Sequence, residues 1–240
     1  MSAASAPTPP LLVLDCATET LHLGLAVEGR TWLRALPGGA QASTALLPAL
    51  MELLAEAGLR LRDLGAIGFG RGPGAFTGVR TACAVTQGLA FGAGLPVLAL
   101  DTLMAVAEDA RCAGADDDDM WVAVDARMGE TYAARYRRGT DGWTALAAPA
   151  LHDPAALAAQ VRGGGVAGSS LTAHAPAWAD HAGPRWPDAA PRAAALLALA
   201  RAAWQRGERL DAAEALPLYV RDKVAQTTAE RAALAARRAA

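Results

Sequence analysis

The order in which strand-like and helix-like patterns follow one another limits this chain most. The run Leu11-Leu12-Val13-Leu14-Asp15 is short and apolar, and strand-like pieces follow at 21–27 and 31–36 with no helix between them. After these three the pattern alternates. Residues 43–57 put Leu46, Leu47, Leu50, Met51, Leu53 and Leu54 at helical spacing, with Ser43 expected as N-cap and Gly58 as the stop. A buried strand is expected at 66–70, a helix at 79–91, a strand at 96–100 and a helix at 102–111. The predicted order, β-β-β-α-β-α-β-α, is a meander feeding parallel crossovers.

In the second half, strands are expected at 121–125 and 131–136 and helices at 154–161 and 191–206. Asp15 and Asp125 then each end the first strand of a half. The expected division is a tail at 1–10, one lobe at 11–110, a second at 111–226, and a tail at 227–240 whose Ala/Arg segment 229–240 is helical or frayed. The fold class expected is α/β in two lobes, each a mixed sheet with flanking helices.

Composition narrows the function classes. With 53% hydrophobic and 19% charged residues the chain is not broadly disordered, and a net charge of -2 gives no basic field for binding phosphate backbones unaided. Contact with nucleic acid is expected to need a partner. Cys16, Cys83 and Cys112 show neither disulfide nor zinc spacing, which fits a reducing compartment. The first ten residues lack a signal-peptide pattern and no apolar run reaches membrane-spanning length, so a cytoplasmic protein without membrane contact is expected. Asp116, Asp117, Asp118 and Asp119 lack the alternating ligands of a calcium loop and read as a solvated turn.

Local motifs leave alternatives open. The stretch from Gly70 to Arg80 lies between a strand and a helix, and Gly72, Gly74, Thr77 and Gly78 there suit either a tight turn or an anion at a helix start. No Walker spacing is present. Asp15 and Thr18 at one strand end, and Asp125 at the other, suit either turn capping or magnesium and phosphate in a cleft. His22, His152, His174 and His181 form no metal-ligand spacing, and no nucleophile is set beside a base. The helices at 43–57 and 79–91 carry apolar and small residues beyond one face, which suits core or a subunit interface.

Several blocks together resemble a known family. They are Leu12 to Glu19, Leu46-Leu47-Pro48, Gly70 to Arg80, Gln87-Gly88-Leu89-Ala90, Val124-Asp125-Ala126-Arg127-Met128-Gly129-Glu130, and Tyr219-Val220-Arg221-Asp222-Lys223. Over about residues 11–228 the chain resembles the TsaB (YeaZ) family. The resemblance implies an actin-like ATPase (RNase H-like) fold and a non-catalytic scaffold in forming N6-threonylcarbamoyladenosine beside the anticodon of tRNAs that read codons beginning with A.

It implies the catalytic paralogue TsaD and the ATPase TsaE as partners, tRNA contact through the complex, and a homodimer as another use of the same face. It implies no cofactor in the isolated chain, with ATP or ADP at the complex interface. Ser43, Leu46, Leu47, Leu50, Met51, Arg80, Cys83 and Gln87 are the expected interface. Asp15, Thr18, Gly72, Gly74, Thr77, Gly78 and Asp125 are the expected nucleotide or phosphate remnant. Family members carry His where this chain has Ala42. TsaD carries a histidine pair where Asp101 to Val106 has none. The alternatives are a small-molecule kinase of the same fold and a homodimeric module outside tRNA modification. A peptidase finds no residues to support it. Arg221, Lys223, Arg231, Arg237 and Arg238 make a basic tail that suits either tRNA contact or a solvated helix.

Overall fold

The structure, a computed structural model, describes residues 8–221. The first half runs β1 (Leu11–Asp15), β2 (Thr20–Val27), β3 (Arg30–Pro37), α1 (Ala42–Glu56), β4 (Ala66–Gly70), α2 (Phe76–Ala93), β5 (Val97–Leu100) and α3 (Thr102–Cys112). This is the expected order. The second half runs β6 (Asp119–Asp125), β7 (Thr131–Gly139), β8 (Gly142–His152), α4 (Pro154–Val161), β9 (Gly165–Ala167), α5 (Ser170–Ala173), β10 (Arg185–Trp186) and α6 (Ala193–Gln205). Two five-stranded sheets result, in the orders β3-β2-β1-β4-β5 and β10-β9-β6-β7-β8. Each is mixed: β1 pairs antiparallel with β2 and parallel with β4, and β6 antiparallel with β7 and parallel with β9.

The period-2 alternation of the central strands sorts their side chains into separate layers. Leu12 and Leu14 face α1 and α2, whereas Leu11 and Val13 face a core built with α3 and α6. In the second sheet Met120 and Val122 enter that same inner core, while Trp121 and Ala123 face Leu157, Leu171 and Trp178. Thus α3 and α6 lie between the sheets and hold the two halves together. Tyr136 on β7 donates to Asp101 at 2.8 Å, and Asp101 also caps α3 through the N–H groups of Leu103 and Met104.

Three local expectations need correction. Ser43 is not the N-cap: α1 starts at Ala42, and its cap position, Gln41, makes no side-chain cap bond. Instead the Thr44 hydroxyl donates to the Gln41 carbonyl at 2.9 Å. Helix α2 begins at Phe76 rather than at 79, because packing of Gly78 on the Cys16 carbonyl just past β1 overrides a weak local propensity. The eleven-residue strand β8, rich in Ala and containing Pro149, was not expected; its pairing to β7 decides it, and its edge position tolerates the proline. Lys223, Arg231, Arg237, Arg238 and the segment 229–240 lie outside the described residues.

Candidate functional site

The end of β1 and the glycine block are pressed together. Asp15 is fully buried, accepting from the Ala17 N–H at 2.7 Å and from the Thr102 hydroxyl at 2.8 Å. Thr102 in turn accepts from the Gly72 N–H at 3.0 Å. A side chain at Gly70 would stand 1.7 Å from Asp15 Oδ2, and one at Gly78 would stand 1.8 Å from the Cys16 carbonyl. The glycines at these two positions are therefore required by close approach of β1, β4 and α2. Burial raises the Asp15 pKa from 3.8 to about 6, against the two hydrogen bonds that lower it.

That shift has a testable consequence. A carboxylate whose folded pKa is raised contributes stability below pH 3.8 that is lost as pH rises through about 6. Its full size is on the order of 3 kcal/mol. His22, lowered to about 4 by burial and by nearby Arg192, acts with the opposite sign, losing stability as pH falls from 6.5. We expect Asp15→Asn to remove the first dependence only. The gap between wild-type and Asp15→Asn melting temperatures should shift against the wild type as pH is raised from 4 to 6; a gap independent of pH would refute this.

Across the cleft, Asp125 ends β6 and its carboxylate accepts from the Arg127 N–H at 2.9 Å, with His174 Nε2 3.3 Å away. The turn that follows is left-handed at three successive residues, Arg127, Met128 and Gly129, with φ of 63°, 58° and 80°. Two of these are not glycine, so the turn is strained and needs outside support. Arg221 supplies it, donating to the carbonyls of Ala126 and Arg127 at 3.0 and 3.4 Å and pairing with Glu130 at 2.8 Å.

Arg221 lies on a strap that begins where Leu210 bridges Val97. The strap then crosses α2, where the Cys83 thiol and the Gln87 amide both donate to the Ala215 carbonyl and Arg80 donates to the Tyr219 hydroxyl at 2.8 Å. Arg221→Ala should loosen the turn by about 1–3 kcal/mol, seen as faster amide exchange at Gly129 and Glu130. Unchanged exchange would remove the supporting role.

Between the halves lies a cavity of 580 Å³. Of the candidate phosphate residues, Thr18, Gly74 and Asp125 line it. Asp15, Gly72 and Gly78 are buried away from it, and Thr77 is exposed on α2. A magnesium nucleotide of the actin-like kind needs both strand-end carboxylates open to the cleft and reachable backbone N–H groups, and of the two only Asp125 lines it. Here Asp15 is sealed under Gly70, and the start of α2 is closed by Ala17, which receives the Ala75 N–H at 2.8 Å. The residues of this cleft do not fit that group. Among the described residues no three His, Cys, Asp or Glu side chains are grouped to hold a metal ion.

The candidate interface divides in two. Ser43, Leu47 and Met51 stand on the outer face of α1, the last two at 45% and 49% exposure, but Leu46 and Leu50 point into the core at 0%. Ala42 is also buried, at 1%, so that position faces the core. On α2, Arg80 is exposed and lies over the Phe76 ring, whereas Cys83, at 5%, and Gln87 are engaged by the strap. The outer ridge of α2 is instead Thr77, Ala84, Gly88 and Phe91, the last 82% exposed. Sequence reading missed the strap, although Tyr219 and Arg221 belong to a block that carried the resemblance. Helical spacing from Arg80 would have found Phe91.

A family model described as TsaD, tRNA N6-adenosine threonylcarbamoyltransferase, matches residues 39–182, more than half of the chain. A protein of Escherichia coli strain K12 named tRNA threonylcarbamoyladenosine biosynthesis protein TsaB is 39% identical over 133 residues, 55% of this chain and 57% of that one. Its namesake in Haemophilus influenzae is 42% identical over 123 residues, 51% of each chain. The chain thus spans about half the length of the curated relatives it matches. The solved structure of YeaZ from Pseudomonas aeruginosa is 36% identical with a TM-score of 0.80, covering 88% of this chain and 100% of that one. The fold, the shared sequence blocks and these similarities place the chain in the TsaB (YeaZ) family.

Proposed function

We propose that this chain is a cytoplasmic, non-catalytic scaffold subunit in the formation of N6-threonylcarbamoyladenosine in tRNA, acting by pairing with the catalytic subunit TsaD. The observation that carries this reading, beside family membership, is the apolar outer face of α1 and α2. Leu47, Met51 and Phe91 are all exposed there, beside the small residues Ala84 and Gly88 that permit close helix approach. Single exposed apolar residues are ordinary, but three on adjacent helices fit a subunit contact. The same face would serve a homodimer when the partner is absent. TsaE and tRNA join through the assembled complex, and any ATP or ADP belongs at the boundary with the partner rather than in this chain's own cleft.

A small-molecule kinase is disfavoured by the sealed position of Asp15 and the closed start of α2. The test is light scattering of this chain mixed with its cognate TsaD, followed by a threonylcarbamoylation assay with and without the chain. A mixed complex and activity that depends on the chain are expected. Absence of pairing together with unchanged activity would overturn the proposal.

Among the described residues no helix is long and apolar enough to cross a membrane.

A further inference from the structure

The cavity between the two halves takes no part in the scaffold reading, yet its 580 Å³ lies within the range of about 300–1,000 Å³ usual for small-molecule sites. Its walls are mainly apolar, with Pro73, Phe76, Val79, Val106, Val124 and Met128 among them. The charged groups on the lining are already matched. Glu19 pairs with Arg127 at 2.7 Å, Asp125 lies 3.7 Å from the same guanidinium, and Arg221 is held by Glu130. An anionic ligand would compete with Glu19 and Asp125 for the Arg127 guanidinium, in an exposed pair that contributes little, but would face the two carboxylates themselves. It would gain little from α2, whose first turn is packed against Ala17 and Cys16.

Besides the hydroxyls of Thr18, Thr20 and Ser169, two ring side chains on the lining offer neutral hydrogen-bonding groups. His22 lies on the lining, and burial keeps its ring uncharged at neutral pH. Tyr132, also on the lining, is 8% exposed and presents a phenol next to apolar surface. We propose that the interlobe cavity is a binding site for an uncharged, flat, mainly apolar small molecule with one polar edge, and that it excludes phosphorylated ligands. The ring lies against Phe76 and Val79, the polar edge meets His22 or Tyr132, and the Glu19–Arg127 pair closes the mouth. This site is independent of the α1–α2 face, so its fate does not depend on pairing.

The test compares matched probes on the full chain: 1-naphthol, 1-naphthyl phosphate and magnesium ATP, titrated by calorimetry and followed by amide chemical shifts. 1-Naphthol is expected to saturate one site, shifting the amides of Val79, Val106 and Tyr132, while the phosphate ester binds about tenfold more weakly or not at all, a difference of about 1.4 kcal/mol. Ala173, exposed yet on the cavity wall, allows a filling variant. Ala173→Trp should weaken 1-naphthol about tenfold with the melting temperature preserved. If that variant fails to fold, the shift map on the wild type decides alone. Shifts elsewhere, absence of saturation, or phosphate ester or magnesium ATP binding as tightly as 1-naphthol would overturn the proposal.

Discussion

Gly78→Ala should cost about 3–5 kcal/mol of folding stability, while Gly88→Ala, ten residues along the same helix, should gain about 0.5–1 kcal/mol. The two substitutions add the same methyl group to α2 and lower the same backbone entropy of the unfolded chain, so the difference isolates what surrounds each site. At Gly78 the new Cβ would stand 1.8 Å from the Cys16 carbonyl oxygen and 2.8 Å from its carbon, both backbone atoms of a buried segment. Neither can rotate away. Relief requires moving β1 away from α2, which would break the Ala75 N–H bond to Ala17 and open the packing of Leu14 and Phe69. At Gly88 nothing lies within 4 Å.

Gly70→Ala should also destabilise, but by displacing side chains rather than backbone: its Cβ would meet Asp15 Oδ2 at 1.7 Å and Thr102 Oγ1 at 2.9 Å, and the buried carboxylate would lose its hydrogen bonds. Urea unfolding of the three variants measures this directly. If Gly78→Ala unfolds at the wild-type midpoint, the close approach of β1 and α2 is wrong, and with it the reason for excluding phosphate from this loop.

That pair also marks where sequence reading runs out. The meander and the alternation after it were legible because each element carries its own period: Leu12 and Leu14 against Leu11 and Val13 in β1, Leu46, Leu50, Leu53 and Leu54 on one face of α1. The glycine block was visible as unusual, but a phosphate cradle and a tight backbone contact call for the same residue, so only the position of Cys16 decides between them. Strand β8 escaped because Ala145, Ala147, Ala148 and Ala150 have no strand preference of their own, and long-range pairing to β7 imposes one. The strap escaped for a related reason. Its contacts, Cys83 and Gln87 to Ala215, and Arg221 to Ala126, join residues some 95 to 132 apart in sequence, and no local pattern announces them.

The largest effect on pairing should come from Leu47→Glu combined with Phe91→Asp. Both side chains are substantially exposed in the isolated chain, at 45% and 82%, so a carboxylate at either place stays hydrated and folding stability should change by no more than about 0.5 kcal/mol. In a complex paired through this face the same carboxylates would be removed from water. An uncompensated buried charge costs several kcal/mol, so the pairing with TsaD that we propose should weaken by about a hundredfold or more.

Two neighbouring substitutions show why the choice of residue matters. Leu50→Ala, on the inner side of the same helix, leaves a cavity under α1 and should cost about 2–5 kcal/mol of stability, so lost pairing there would say nothing about the face. Cys83→Arg is equally ambiguous, because Cys83 is 5% exposed and its thiol donates to Ala215, so the longer side chain would lift the strap before it met any partner. Melting curves and light scattering on the same samples separate the cases. Intact folding with pairing lost assigns the interface to α1 and α2, whereas intact folding with wild-type affinity would exclude that face and leave TsaD to bind elsewhere on the chain.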